Sequence, residues 1–275
     1  MTTPHIAFIG GGNMAASIIG GLITDGYATD CIHVAEPDAD KRQALATRFG
    51  IHTETDNNAA VAMAQAVVLA TKPQVLNEVC ADMADAVQQH QPLIISIAAG
   101  IRSTDIDRWL GGNTAIVRSM PNTPAMVQSG ATGLFANAQV SDTQRELAES
   151  IMRAVGITLW LNDEAQLDAV TALSGSGPAY FFYVIEAMES AGKTLGLETN
   201  AARLLAIQTA FGAAKLALES SEDPATLRER VTSPGGTTER ALSVLREGGL
   251  EALFIEALQA ANDRAAELAD QLGVK

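Results

Sequence analysis

The sequence predicts an α/β fold in which a parallel sheet covered by helices fills the first part of the 275 residues and only helices follow. Up to about residue 161, short apolar runs of strand length alternate with segments of helical length, a pattern typical of such a sheet. Beyond residue 165 the alternation stops, and apolar residues recur with the period of about 3.6 residues that indicates helices. We therefore predict two domains, residues 1–162 and residues 163–275.

A glycine turn near the N-terminus organises the first domain. The apolar run Ile6–Ile9 leads into Gly10, and a helical pattern begins after Gly12. Together with Ala15, these glycines match the Gly-x-Gly-x-x-Gly/Ala spacing of a Rossmann dinucleotide-binding domain. Gly10 permits the tight turn, Gly12 lets the backbone approach a pyrophosphate, and Ala15 lets the helix pack close to the strand. The free N–H groups of the first helical turn then face the phosphates.

The other elements of the first domain follow in order. The predicted strands after the first are Ile32–Ala35, Ile51–Thr53, Val67–Ala70, Leu93–Ile97, Ala115–Arg118, Ala131–Phe135 and Ile157–Leu161. The predicted helices are Asp38–Phe49, Asn57–Ala64, Pro73–Val87, Ser103–Leu110 and Asp142–Val155. Pro73 occupies a first helical position, and Ser103 is expected to cap its helix. In such a sheet the ligand lies beyond the carboxyl ends of the strands.

Small and polar residues at these strand ends form the predicted cofactor site. Glu36 ends the second strand about 20 residues past the glycine turn, where an acidic side chain accepts hydrogen bonds from the adenosine ribose. Its charge would repel a 2′-phosphate about 4 Å away by about 4 kcal/mol at an effective dielectric near 20, which favours NADH over NADPH. Lys41 and Arg42, one helical turn further on, could still reach such a phosphate. Asn57 is either a helix cap or an adenosine contact, and Lys72 either a surface lysine or a ligand of ribose or phosphate oxygens. The predicted cofactor-binding residues are Phe8, Ile9, Gly10, Gly11, Gly12, Asn13, Met14, Glu36, Asn57, Ala70, Thr71, Lys72, Pro73, Ala98, Ala99, Met120, Pro121 and Asn122.

Composition restricts the partners. A formal net charge of -14 argues against nucleic acid or an anionic membrane as partner. We see no apolar run long enough to span a bilayer and no signal peptide at the N-terminus. Cys31 and Cys80 are the only cysteines and neither has metal-ligand spacing, so we expect no metal and a reducing, cytoplasmic location.

The second domain reads as helices throughout. The candidates are Gln166–Leu173, Pro178–Leu195, Asn200–Leu218, Pro224–Arg230, Thr237–Glu247 and Leu250–Leu272. The helix at 200–218 is nearly apolar on all sides, so we expect it to be buried all round. In a domain of this size that implies burial against another subunit.

Two loops of small residues precede helices in this domain. Leu173–Ala179 and Val231–Thr238 each present backbone N–H groups and hydroxyls at a positive helix end. Charge-assisted hydrogen bonds contribute about 1.5–3 kcal/mol each, so two or three would hold a carboxylate without an arginine. On spacing alone, ordinary Gly-Pro helix junctions explain both loops equally well. The predicted substrate-binding residues are Ser174, Gly175, Ser176, Gly177, Pro178, Ser233, Gly235, Gly236, Thr237 and Thr238.

With the glycine turn and the segments Ala70–Pro73 and Met120–Ala125, these loops give the chain a resemblance to the pyrroline-5-carboxylate reductase family. The most specific part is Arg228–Thr238, which is similar to that family's signature, and the likeness covers about residues 5–272. The resemblance implies a helical domain that interlocks into a homodimer, often within a decamer. It also implies NADPH or NADH as hydride donor and a pyrroline carboxylate held by backbone amides. Many family members carry Ser, Asn or Arg after the second strand and prefer NADPH, whereas this chain has Glu36.

The predicted chemistry needs no strong acid. All four histidines precede residue 91, and no histidine–carboxylate pair or Ser-His-Asp order is visible. A protonated cyclic imine is already electrophilic, so proximity and orientation suffice for hydride transfer, and Thr238 is the candidate catalytic hydroxyl. The alternatives are a 3-hydroxyacid dehydrogenase, which would use Lys193 or Lys215, and a nucleotide-sensing binding protein without turnover.

Overall fold

The structure, a computed structural model that describes residues 3–273, confirms the α/β fold with a helical C-terminal part. Its eight strands form one sheet in the order β3-β2-β1-β4-β5-β6-β7-β8. The strands are β1 Ile6–Ile9, β2 Ile32–Ala35, β3 His52–Glu54, β4 Ala66–Leu69, β5 Leu93–Ser96, β6 Ile116–Met120, β7 Gly130–Ala136 and β8 Gly156–Trp160. The strand order reverses between β1 and β4, which is where dinucleotides bind in doubly wound sheets.

Twelve α-helices are present in the described chain. They are α1 Asn13–Thr24, α2 Ala39–Phe49, α3 Asn57–Met63, α4 Leu76–His90, α5 Ser103–Trp109, α6 Asp142–Arg153, α7 Gln166–Val170, α8 Gly177–Thr194, α9 Thr199–Glu219, α10 Pro224–Arg230, α11 Thr237–Glu247 and α12 Leu250–Gly273. A π-helical turn, Thr171–Gly175, continues α7. The sequence prediction placed a loop from residue 174 onwards and missed this turn.

The last two strands correct the expectation of a wholly parallel sheet. β6 and β7 are antiparallel, and β8 pairs with β7 in parallel, so both run against the other six. Only residues 121–129 connect β6 to β7. A parallel crossover needs about a dozen residues or more, so this short connection allows only the antiparallel pairing.

Three helix starts also differ from the sequence prediction. Ser103 is the first residue of α5 rather than its cap, and its hydroxyl donates to Glu164 instead. Asp56 caps α3 by accepting from the Asn58 N–H, so Asn57 is not the cap. Pro73 begins a 3₁₀ turn, and the α-helix starts only at Leu76.

The alternation of side chains along β1 divides the core between the two faces of the sheet. Ile6 and Phe8 are buried in one cluster with α1, whereas Ala7 and Ile9 are buried in the other with α4. On the first face, Gly21 of α1 lies against the backbone, because a Cβ there would be 2.3 Å from the Ala154 carbonyl oxygen. This close contact packs the C-terminal half of α1 against the segment that follows α6.

The chain divides into two compact units, residues 1–176 with 260–275 and residues 177–259. The end of α12 therefore belongs to the first unit. Arg102 Nη2 lies 2.5 Å from Asp270 Oδ1, and Arg108 Nη2 donates to the Gly273 carbonyl oxygen at 2.6 Å. These two compact units differ from the two domains predicted from the sequence, which meet between residues 162 and 163. That domain boundary stays a prediction.

The second unit leaves large apolar side chains exposed. In α9 only Ala202 and Ala206 are buried within the single chain. The burial expected for this helix, which was predicted to come from another subunit, is therefore not provided by the chain itself. Phe211 is 61% and Leu218 77% exposed. By length and composition α9 is also apolar enough to cross a membrane, which corrects the expectation that no such run exists.

Three histidines cluster across the first three strands. His5 Nδ1 lies 3.1 Å from His33 Nε2, and the rings of His33 and His52 stack with centroids 5.0 Å apart. Burial, helped by the two neighbouring rings, lowers the pKa of His33. The folded state thus disfavours the imidazolium form.

We expect acid to destabilise the fold through His33. Its pKa is lower in the folded state than the unfolded value of about 6.5, so the unfolded chain binds more protons below that pH. Its contribution to stability is complete above about pH 6.5 and is lost as the pH falls toward the folded pKa. The variant His33→Phe should show a smaller drop in Tm than wild type between about pH 7.5 and pH 5.5.

His90→Phe is the matched control, because His90 is exposed at the end of α4. It should keep the wild-type pH dependence. If Tm falls equally with pH in His33→Phe and in wild type, His33 is not the cause of the destabilisation by acid.

Candidate functional site

The β1–α1 turn has the geometry of a phosphate cradle. Gly10 has φ +100°, and a Cβ there would lie 2.8 Å from the Ala70 carbonyl oxygen, so a glycine is required. Around Gly12 no heavy atom of the described chain lies within 4 Å of a Cβ position, so the backbone is open to a ligand. Gly12 caps α1 without a side-chain hydrogen bond. The N–H groups of the first turn, from Asn13 on, are therefore available to an anion.

Glu36 closes one side of this cradle. Its Oε2 accepts from the Gly11 N–H at 2.8 Å, and its Oε1 accepts from the Asp38 N–H at 3.1 Å. Arg42 donates to the carbonyl oxygens of Glu36 and Pro37 at 2.6 and 2.8 Å. A buried carboxylate is thus fixed at the end of β2, on the side of β1 away from β4.

The ends of β4 and β5 form the other side of the cradle. The Thr71 Oγ1 atom is buried and has no hydrogen-bond partner among the described residues, while its methyl group lies near Gly10. A buried hydroxyl without a protein partner can accept or donate a hydrogen bond to a bound molecule or an ordered water. Lys72 is exposed, and Ala98 at the end of β5 is buried. These features fit a dinucleotide across the ends of β1, β2 and β4.

The loop after β6 contacts the π-turn. Asn122 Nδ2 donates to both the carbonyl oxygen and Oγ of Ser174, each at 3.2 Å, and Asn122 Oδ1 accepts from the Ala131 N–H at 2.9 Å. Met120 lies beneath Gly175, where a Cβ would be 2.6 Å from the methionine Cε. The structure therefore brings part of the predicted cofactor site, Met120–Asn122, against part of the predicted substrate loop, Ser174–Ser176.

The remaining predicted substrate residues lie in the second unit. Gly236 caps α11 without a side-chain bond, so the N–H groups of Thr237 and Thr238 lack intrahelical acceptors. The Gly235 N–H already donates to Glu239 Oε2 at 2.7 Å. Thr238 is exposed, and its hydroxyl bonds to no residue between 3 and 273. Gly177 and Pro178 begin α8 in the same unit.

Sequence analysis missed a group of charged residues at the edge of the first unit. Arg118 is buried in β6, and its Nη1 lies 2.9 Å from Glu164 Oε1. Glu164 also accepts from the N–H and Oγ of Ser103 at 2.6 and 2.8 Å. Burial raises the pKa of the neighbouring Asp168, against the opposing effect of Arg118. An arginine inside an otherwise apolar strand was the available signal.

Among residues 3–273, no group of three or more His, Cys, Asp or Glu side chains is arranged to hold a metal ion. Lys193 and Lys215 are each paired with a carboxylate one helical turn away, Glu189 at 3.2 Å and Glu219 at 3.8 Å. Neither lysine is thus presented as a free ammonium group.

Two known protein families match separate parts of the chain. Residues 164–268 match the family described as pyrroline-5-carboxylate reductase dimerisation, and residues 5–100 match the family described as NADP oxidoreductase, coenzyme F420-dependent. A pyrroline-5-carboxylate reductase of Pseudomonas aeruginosa is 54% identical over 273 residues, covering 99% of this chain and 100% of the relative. One from Haemophilus influenzae is 44% identical, covering 96% of this chain and 97% of the relative.

Solved structures agree with these relatives. A pyrroline-5-carboxylate reductase structure from Coxiella burnetii is 48% identical with a TM-score of 0.94, covering 98% of this chain and 99% of that one. The Plasmodium falciparum pyrroline carboxylate reductase, solved with NADP bound, shares the fold at 24% identity and a TM-score of 0.86, covering 98% and 99% of the two chains. With relatives this similar over nearly its whole length, the chain belongs to the pyrroline-5-carboxylate reductase family.

Proposed function

We propose that the protein reduces L-1-pyrroline-5-carboxylate to L-proline with NADPH or NADH, the last step of proline biosynthesis. The observation that carries the proposal is the N-terminus of α11, where Thr237 and Thr238 present free N–H groups and hydroxyls. It occurs in a chain that also holds a dinucleotide cradle around Gly10 and belongs to this reductase family. A cyclic imino acid has the carboxylate that such a helix end binds.

The residues of the chain bind and orient rather than donate a strong acid. When bound, the reduced nicotinamide would supply the hydride that adds to the imine carbon, the one double-bonded to nitrogen, and neutralises the protonated imine. The Thr237 and Thr238 N–H groups would hold the substrate carboxylate, and the Thr238 hydroxyl would bond to the ring nitrogen. Holding both reactants in place provides much of the rate enhancement in such a reaction. We assign no side chain of the protein as a general acid.

Steady-state oxidation of NADH and NADPH with L-1-pyrroline-5-carboxylate tests the proposal directly. We expect turnover of the imine and none of 3-hydroxy acids. Turnover of 3-hydroxy acids alone would favour the dehydrogenase alternative, although Lys193 and Lys215 are each paired with a carboxylate. Tight nucleotide binding with no turnover of either substrate would favour a binding protein.

Glu36 is expected to bias the enzyme toward NADH. Its buried carboxylate is fixed at the end of β2 by the Gly11 and Asp38 N–H groups, so it cannot easily turn away from a 2′-phosphate. Glu36→Ser removes the charge and frees the Gly11 N–H. The ratio of kcat/KM for NADPH to that for NADH should rise about tenfold or more, since each 1.4 kcal/mol or so corresponds to a factor of ten.

Asp40→Ser is the control for Glu36→Ser. Asp40 is an exposed acid in the first turn of α2, so its loss changes the net charge equally without changing the carboxylate at β2. An unchanged cofactor ratio in Glu36→Ser would show that Glu36 does not face the ribose.

The exposed apolar surface of the second unit supports a homodimer, which the resemblance extends to a decamer assembled from such dimers. Phe181, Phe182 and Phe211 are each more than 60% exposed in the single chain. We propose that a second subunit covers these side chains together with α9, and that α9 does not enter a membrane. Sedimentation should show a dimer or a multiple of it, and Phe211→Glu should weaken the assembly. A folded, active monomer at low concentration would contradict this.

We also propose a cytoplasmic location. Cys31 and Cys80 are both buried and unpaired, which fits a reducing compartment. Burial raises the pKa of the Cys80 thiol to about 12, so this thiol is chemically inert.

A further inference from the structure

The side-chain amide of Asn122 makes hydrogen bonds through both its oxygen and its nitrogen within the protein. Its oxygen accepts from the Ala131 N–H at 2.9 Å, which identifies that atom as the oxygen because a backbone N–H can only donate. Its nitrogen donates to the carbonyl oxygen and to Oγ of Ser174, each at 3.2 Å. Both hydrogen bonds of the amide nitrogen within the described chain thus go to one residue, Ser174.

Ser174 belongs to the π-turn Thr171–Gly175, in which the Ser176 N–H donates to the Thr171 carbonyl oxygen at 2.8 Å. Such turns occur frequently at functional sites. Gly175 of the same turn lies over Met120, the last residue of β6. Met120 and Asn122 therefore contact two consecutive residues of the turn, Gly175 and Ser174.

We propose that Asn122 is a positioning residue that fixes the Ser174–Ser176 segment relative to the loop after β6. The inference rests on the proposed function, in which this segment belongs to the substrate site and the loop lies near the nicotinamide. Hydride transfer depends on the distance between the reacting atoms, and a misplacement of about 1 Å can reduce the rate about 100-fold. Asn122 acts through Ser174 and contacts neither substrate nor cofactor with its amide.

Asn122→Asp tests this role with a minimal change of shape. The carboxylate still accepts from the Ala131 N–H but presents an oxygen, rather than a donor, to Ser174. We expect kcat with the imine to fall about tenfold or more, with a larger primary isotope effect when the transferred hydrogen of NADH is deuterium. The Kd for NADH, measured by fluorescence, should stay within about twofold of wild type.

Asn137 offers a matched control at the other end of β6. Its Oδ1 accepts from the Ile116 N–H at 3.0 Å and its Nδ2 donates to the Thr114 carbonyl oxygen at 2.9 Å, the same kind of bridge. Asn137→Asp should lower Tm by a similar amount and leave kcat and the isotope effect unchanged. Hydrogen exchange in residues 171–176 should accelerate in Asn122→Asp and not in Asn137→Asp.

The outcomes separate the possible roles of Asn122. Equal kinetics for the two aspartate variants would make Asn122 merely structural, and a raised Kd for NADH at unchanged kcat would make it a cofactor contact. Either result overturns the proposal. If Asn122→Asp does not fold, Asn122→Ala, which introduces no repulsive charge, takes its place with the same expectations. Wild-type turnover is measured separately, so failure of the proposed reaction is recognised by the wild type alone.

Discussion

Replacing Glu164 with alanine is expected to lower the free energy of unfolding by about 3 kcal/mol and Tm by about 6–12 °C. The carboxylate of Glu164 is the partner of Arg118, whose side chain is only 8% exposed, and it also satisfies the N–H and Oγ of Ser103. Its loss leaves a buried guanidinium and a backbone N–H without acceptors, which typically costs about 3–5 kcal/mol. Asp168 lies close enough to interact with Arg118, so we expect a loss near the lower end of that range.

The control is Glu267→Ala. Glu267 lies 2.7 Å from Arg264, which is closer than Glu164 lies to Arg118. Both side chains of the Glu267–Arg264 pair are more than half exposed. A surface pair of this kind contributes at most about 1 kcal/mol. Thermal unfolding at one protein concentration should therefore separate the two variants clearly. Similar small losses in both would show that burial does not strengthen the Glu164 pair.

The sequence predicted the local elements because their signals are local. The β1–α1 turn needs glycine at position 10 for a positive φ, and the structure has φ +100° there. Apart from β3, His52–Glu54, the strands of the parallel core are mostly apolar, and each was found to within one or two residues, as Ile32–Ala35 shows. Parallel strands have their carboxyl ends at the same edge of a sheet. The residues that were predicted to bind the cofactor at these strand ends therefore lie along one edge.

What the sequence did not predict depends on contacts between distant residues. The pairing of Asn122 with Ser174 spans 52 residues and that of Arg118 with Glu164 spans 46. No periodicity or spacing encodes such partners. The antiparallel direction of β7 was available in principle from the short connection after β6. The apolar composition of α9 indicated a need for burial, and within the single chain only Ala202 and Ala206 of this helix are buried.

Thr238→Ala is expected to lower kcat/KM for the imine by about 10- to 150-fold, equivalent to a loss of about 1.5–3 kcal/mol of transition-state stabilisation. The structure places Thr238 at the second position of α11, with Gly236 as the cap, so its hydroxyl does not cap the helix. The hydroxyl is exposed and makes no bond to another residue of the described chain, which leaves it free for a ligand. Removing it should therefore change Tm little and leave the Kd for NADH unchanged.

Thr226→Ala supplies the contrasting case in the same unit. Thr226 also lies in the first turn of a helix, α10, but its Oγ1 donates to the capping residue Asp223 at 2.8 Å. Its replacement should lower stability by about 1 kcal/mol and leave kcat/KM near the wild-type value. Thr238→Ser, which keeps the hydroxyl, should recover most of the activity lost in Thr238→Ala. A loss of stability with near-normal kinetics in Thr238→Ala would instead assign this residue to the helix and leave the substrate held by backbone N–H groups alone.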